Sequence, residues 1–227
     1  MVDYTKRPNS GSPSTGRVSL SKVTLTKSEP TVSLRKQGAT LSGQMRVNLN
    51  WNTRPAGAPA AGGFFKRMAQ APSSAIDLDL GCLYELTDGT KGVVQALGNA
   101  FASRNRGTPI ISLDGDDRTG SSTDGENLRI DLSRLAEIRR ILVFAFIYEG
   151  TVNWAGANGV VTLHPDGAPI EVRLDESNPQ SRTCAIAMLE NTGGDLSVRR
   201  EVRYINGSQS ALDRAYGWGL NWSPGKK

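Results

Sequence analysis

Hydrophobic and polar residues alternate along most of this chain, and the alternation predicts strands with one buried face. Met45, Val47, Leu49 and Trp51 interleave with Arg46, Asn48 and Asn50, as expected of a half-buried strand whose side chains point to opposite faces in turn. From Ile76 to Leu86 the same period places Ile76, Leu78, Leu80, Cys82, Tyr84 and Leu86 on one face. Asp77 and Asp79 then project together from the other, which this reading takes as exposed. Asp88-Gly89 signals a hairpin turn into Val93-Val94. The run Ile141 to Tyr148 is apolar throughout and has the length of a fully buried strand.

Ordered structure is expected to begin at Val18–Val23, and further strands are expected at 108–113, 128–131, 160–163, 169–174, 183–190 and 197–205. Asp166-Gly167 and Gly193-Gly194 turn the chain between some of them. One stretch reads as helical, with Ser133 as N-cap before Arg134–Ile138. Short strands at close intervals with so little helix predict an all-β, mostly antiparallel β-sandwich with at most one or two short helices. Residues 17–227 are read as a single domain, a length that β-sandwiches reach. Residues 1–16 lack core-forming side chains and are expected to be a disordered tail. Residues 52–74, rich in Pro, Ala and Gly, are expected to form a mobile loop. Its Phe64-Phe65-Lys66-Arg67-Met68 segment is read as a flap over a sheet edge or as a contact for a partner or a membrane surface.

Composition narrows the chemistry. The 227 residues carry 27 Lys and Arg against 22 Asp and Glu, a net charge of +5. That surplus is too small to indicate a nucleic-acid binder. No run approaches the ~18 apolar residues of a membrane-spanning helix, so an integral membrane protein is not expected. The polar start lacks the apolar region of a secretory signal, which makes the expected location cytoplasmic. Two cysteines, Cys82 and Cys184, and one histidine, His164, are too few for a four-ligand zinc site. The cysteines read as reduced core thiols. No G-x-S-x-G occurs to partner His164 in a serine hydrolase. The terminal Trp218 and Trp222 read as residues that seal one end of the sandwich.

The densest chemistry lies between Asp114 and Asn127, where five carboxylates share the segment with one arginine and three glycines. Carboxylates, hydroxyls and glycine-turned carbonyls are the oxygen donors that Ca²⁺ requires. The spacing is not that of an EF-hand, because Thr119 falls where the invariant glycine belongs and Gly125 where the bidentate Glu belongs. A calcium site here has to be completed from another strand, and Asp77 and Asp79 are the candidates. The alternative is a solvated acidic turn.

These residues resemble the tellurite-resistance and stress-response TerD family of bacterial proteins. The resemblance is carried by Val18-Ser19-Leu20-Ser21-Lys22, Val47-Asn48-Leu49-Asn50-Trp51, Ile76-Asp77-Leu78-Asp79-Leu80, Gly115-Asp116-Asp117-Arg118-Thr119-Gly120 and Glu126-Asn127-Leu128-Arg129-Ile130-Asp131-Leu132. The long 52–74 loop and the ending Tyr216-Gly217-Trp218-Gly219-Leu220-Asn221-Trp222 resemble the TerA-type branch. The resemblance implies a β-sandwich that binds Ca²⁺ through Asp77, Asp79, Asp116, Asp117, Thr119, Asp124 and Glu126. Two departures imply a weaker or single site. Ala75 stands where many members have another acid, and the loop after Gly120 is shorter and less acidic. The implied function is that of a calcium-binding, non-enzymatic stress-response protein associated with resistance to tellurium compounds, acting through calcium-ordered contacts with other proteins of the same system. Peripheral membrane association is a further expectation. The alternatives are a metal-dependent phosphate-ester hydrolase, for which no P-loop or partnered histidine is found, and an adaptor for nucleic acid or a membrane surface.

Overall fold

Each expected strand whose residues are described forms, because the period-2 apolar positions find a shared interior. The computed structural model describes residues 21–39, 41–52, 76–114, 125–150, 152–176, 178 and 180–223. The 1–16 tail, nearly all of the 52–74 loop, and Asp116, Asp117, Thr119 and Asp124 lie outside the described residues.

Two six-stranded sheets face each other. The first runs in the order β1 (Val23–Thr24), β10 (Ile170–Leu174), β9 (Gly159–His164), β3 (Gln44–Asn50), β7 (Glu126–Asp131), β6 (Ile111–Leu113). The second runs β2 (Thr31–Ser33), β12 (Leu196–Ile205), β11 (Thr183–Asn191), β8 (Ile138–Glu149), β4 (Asp77–Leu86), β5 (Lys91–Val94). Every pairing is antiparallel except that of β1 with β10. Between the sheets lies one continuous core. Leu78, Leu80, Cys82, Tyr84 and Leu86 enter it from β4, and Met45, Val47 and Leu49 from β3. Cys82 and Cys184 are free buried thiols within it, and burial pushes both well above the usual thiol range. Among the described residues, no helix is long and apolar enough to cross a membrane.

The outer faces of the two sheets differ. The first carries polar side chains such as Arg46, Asn48 and Arg129 on alternate positions. The second buries a separate apolar cluster of Leu83, Leu142, Phe144, Ala185 and Met188, covered by the segment after β12; there the chain forms helix α2 (Gln209–Tyr216), the first helix, α1, being the single turn Trp154–Ala157. Gly81 makes this face possible, since a Cβ there would meet the Phe144 ring at 2.7 Å. The C-terminal segment is pinned by Asp213, whose carboxylate accepts from Gly219 N and Leu220 N, both at 2.9 Å, and from Trp222 Nε1 at 3.1 Å. Trp218 donates to the Tyr84 carbonyl at 2.9 Å, with the Arg140 guanidinium 4.0 Å from its ring centroid. The tryptophans therefore cover a sheet face rather than seal an end of the sandwich.

Two local expectations need correction. The turn at Leu132–Glu137 is a 3-10 helix capped by Asp131, not Ser133; the Asp131 carboxylate accepts from Ser133 N at 3.0 Å. Helix α2 has no counterpart in the hydrophobic pattern. Its buried positions Gln209, Leu212 and Asp213 have helical spacing, but two of the three are polar.

Asp213→Ala should strip three donors of a charged acceptor and cost about 2–3 kcal/mol. Urea unfolding followed by tryptophan emission measures that loss. A second expectation concerns acid. Burial opposes ionisation of Glu85, but Arg140, Lys91 and Arg139 outweigh it and hold the carboxyl below its ordinary range. A carboxyl depressed in the folded state contributes stability above the unfolded pKa and loses it as pH falls through the folded one. Arg140→Met keeps packing against Trp218 but removes the main partner, so the midpoint of acid unfolding should move to higher pH.

Candidate metal centre

The hairpin partner of β4 is shorter than β4 itself. β5 pairs with Cys82–Glu85 only, which leaves the Asp77–Gly81 half of β4 without that partner on one edge. Glu126, the first residue of β7 in the opposite sheet, reaches this edge, and its Oε2 accepts from Leu80 N at 2.5 Å. A side chain thus replaces a missing strand bond, since a buried N–H needs an acceptor. Glu126 is 2% exposed, so it acts as an internal strap rather than as part of a solvated acidic loop.

Asp77 and Asp79 are buried too, at 8% and 4% exposed. The alternation along β4 holds, since their neighbours Leu78 and Leu80 enter the core, but the outer face is not open as the sequence reading had it. All ten residues of β4 are buried, so neither face of this strand is open to water. Asp79 precedes the peptide N–H that Glu126 holds, so the two carboxyl-bearing residues bracket one peptide unit. Asp77 lies two residues earlier, beyond a register shift against β8 that sets it opposite Glu149. Two acids directly across a rung repel unless a cation lies between them. Glu149 was missed in the sequence because it closes a strand that otherwise reads as plain core.

The start of β7 is fixed by a polar network that the sequence reading also did not anticipate. Asn48 donates to Asn127 Oδ1 at 2.9 Å, Arg46 donates to the same oxygen at 3.2 Å, and Asn50 donates to Asn48 Oδ1. Gly125 precedes Glu126 with φ +59°, and a Cβ there would collide with the Leu49 carbonyl oxygen. Only glycine satisfies both demands. On the other stem, Asp114 N donates to the Asn127 carbonyl at 2.9 Å, and the Asp114 carboxylate holds Arg129. Asp114 and Gly125 are therefore held beside each other, so the acidic stretch between them starts and returns next to Glu126.

Of the seven residues expected to bind metal, Asp77, Asp79 and Glu126 are described: the Glu126 carboxylate meets the Leu80 N–H, next in the chain to Asp79, and Asp77 lies two residues earlier on the same strand; Asp116, Asp117, Thr119 and Asp124 are not described. Among the described residues, no group of three or more His, Cys, Asp or Glu side chains is placed to hold a metal by itself. The donors at hand are carboxylate oxygens, which suit hard cations. His164 is remote from them by topology, on β9 across the rung from Arg46. Burial and then the Arg46 charge lower its pKa, which keeps it neutral.

No protein-family model matches the chain. Over 212 residues it is 47% identical to the tellurium resistance protein TerA of an Alcaligenes species, a match covering 93% of this chain. The chain spans 60% of that relative's length. Two solved structures share the fold. A protein of unknown function has a TM-score of 0.55 at 17% identity, covering 78% of this chain and 98% of its own. A homologue of telluride resistance protein (TerD) from Streptomyces coelicolor has a TM-score of 0.52 at 20% identity, covering 76% and 95%.

Gly125→Ala should cost more than the about 1–2 kcal/mol of left-handed backbone alone, since the Leu49 carbonyl must also give way. Hydrogen exchange should then show faster exchange at Leu80 N–H than in the parent protein, as Glu126 is displaced from it.

Proposed function

The chain belongs to the tellurium-resistance family of TerA and TerD proteins, and we propose that within it the protein is a non-enzymatic Ca²⁺-binding member. The reading rests chiefly on one observation: buried Glu126 reaches from the first sheet to the Leu80 N–H on the unpaired edge of β4, next in the chain to buried Asp79 and beside the two anchored ends of an acidic segment. In this reading Asp77, Asp79 and Glu126 form the rigid half of the site. Asp116, Asp117, Asp124 and the Thr119 hydroxyl supply the remaining oxygens. Calcium neutralises carboxylates that would otherwise repel one another. It also fixes the acidic segment against the sandwich, ordering a surface for other proteins of the stress response. A donor set without thiolate or imidazole is ill suited to soft tellurium species, so resistance would not act through their direct chelation at this site. Peripheral contact with a membrane, through residues outside those described, is a secondary proposal. Nothing in the described surface favours nucleic acid, and a cytoplasmic location remains part of the proposal.

Calorimetric titration with Ca²⁺, paired with thermal melts, tests the reading. The melting temperature should rise with calcium, by up to about 2.7 kcal/mol of added stability at a hundredfold excess over Kd. Mg²⁺ should substitute poorly, because it demands a tighter octahedral shell. Asp79→Asn and Glu126→Gln should each remove the calcium-dependent rise. Both should melt at or above the metal-free parent in EDTA, since each relieves charge repulsion. A parent protein indifferent to millimolar calcium would falsify the assignment.

A further inference from the structure

A large open groove lies away from the buried carboxylates. It encloses ≈ 1150 Å³ on the outer face of the second sheet, somewhat above the roughly 300–1,000 Å³ of ordinary ligand pockets. Val93 and Phe146 lie on its floor. One wall is the start of α2 with the segment Leu220–Ser223, and the other is the 95–104 loop.

Its chemistry is one-sided. Lys91 and Arg104 line it, and no Asp or Glu does. Lys91 is partly engaged, donating to the Trp218 carbonyl at 3.0 Å and lying 3.9 Å from Glu85. Arg104 uses its backbone N–H on the Tyr84 hydroxyl at 2.8 Å, and its guanidinium has no ion pair among the described residues. Ser208, Gln209 and Ser210, the beginning of α2, face the same space. The first N–H groups of a helix have no intrahelical acceptor, and Ser208 provides no side-chain cap for them. Such a terminus favours an anion.

Gln209 provides a separate indication of a ligand. It is 5% exposed, it lines the groove, and its side-chain amide makes no hydrogen bond among the described residues. The little of this side chain that is exposed opens on the groove, so an incoming polar group can take the amide in place of water. Beside these polar groups the groove offers Phe146, Leu220 and Trp222, an apolar and aromatic surface that a bare inorganic anion would not use.

We propose that this groove binds a small organic phosphate of the mononucleotide class. The phosphate sits at the N-terminus of α2 within reach of Arg104, the Gln209 amide completes its hydrogen bonding, and the flat base lies on the aromatic surface. Asp79 is opposite Phe146 in the ladder but does not line the groove. The groove is therefore a separate site from the carboxylates, and its binding can be read with no cation present.

The test uses the full chain in EDTA, titrated with adenosine 5′-monophosphate and read by calorimetry and by quenching of tryptophan emission. Adenosine and inorganic phosphate are the control probes. Saturable one-site binding of the monophosphate is expected, with each control weaker by about tenfold or more. Arg104→Gln, at an exposed position, should weaken the monophosphate by about tenfold without moving the thermal melt. Gln209→Leu should weaken it as well, and the melt reports whether that variant keeps its fold. The proposal is overturned if the monophosphate does not saturate by about 5 mM, or if Arg104→Gln binds it unchanged. It is equally overturned if either control binds as tightly as the monophosphate.

Discussion

A ten-residue strand buried along its whole length sets the terms for this structure. β4 presents Leu78, Leu80, Cys82, Tyr84 and Leu86 to the core between the sheets, and Gly81 and Leu83 to the opposite face. Neither face can be left to water, and every backbone N–H along it needs an acceptor. Three separate devices meet those needs. The first sheet covers the inner face. Helix α2 and the tail pinned by Asp213 cover the outer one. Glu126 supplies an acceptor where β5 falls short. Losing any of them would expose apolar surface or strand a buried polar group, and the last two carry visible sequence costs: a polar helix face and a carboxylate holding three donors for the outer cover, and a glycine at position 125 for Glu126.

How much of this was legible follows from what each element needs. The strands were readable because the sandwich interior is apolar and side chains alternate, so Met45–Trp51 and Ile76–Leu86 carried their own register. The outer cover was not readable, because it is held by mixed chemistry. Gln209 and Asp213 occupy helical positions that a hydrophobic count scores as solvent-facing, and Gly217 and Gly219 break up the tail. The same mixture concealed the depth of Asp77 and Asp79. Alternation fixes which face a side chain takes but not whether something lies over that face. Pairing Asp77 with Glu149, or Leu80 N–H with Glu126, requires contacts between strands far apart in sequence, which no local window contains.

The contrast between the two outer faces bears on where interactions can occur. The first sheet shows a polar surface in which Arg46 stands across the rungs from Arg129 and His164. Asp114 compensates Arg129 with a close ion pair, and His164 stays neutral, so the row carries less charge than its composition suggests. Surface pairs of this kind contribute little stability. They keep an otherwise flat sheet soluble and discourage a second sheet from stacking on it. The second sheet is covered by its own chain, and among the described residues an open groove remains between α2 and the 95–104 loop.

That incompleteness places two features of opposite charge preference on neighbouring strands. Asp79 on β4 and Phe146 on β8 share a rung: the aspartate belongs to the buried carboxylates, and the phenylalanine forms part of the groove floor. A cation held by the carboxylates would lower the repulsion felt by an anion arriving in the groove, and an anion seated there would favour the cation in return. Two ligands that each change the local field by an ångström-scale approach are coupled by that field, and the coupling must be the same in both directions. The rung between Asp79 and Phe146 is the shortest path for such coupling. It passes through an internal strand that packing on both faces keeps from yielding, so the field rather than a conformational change would carry it.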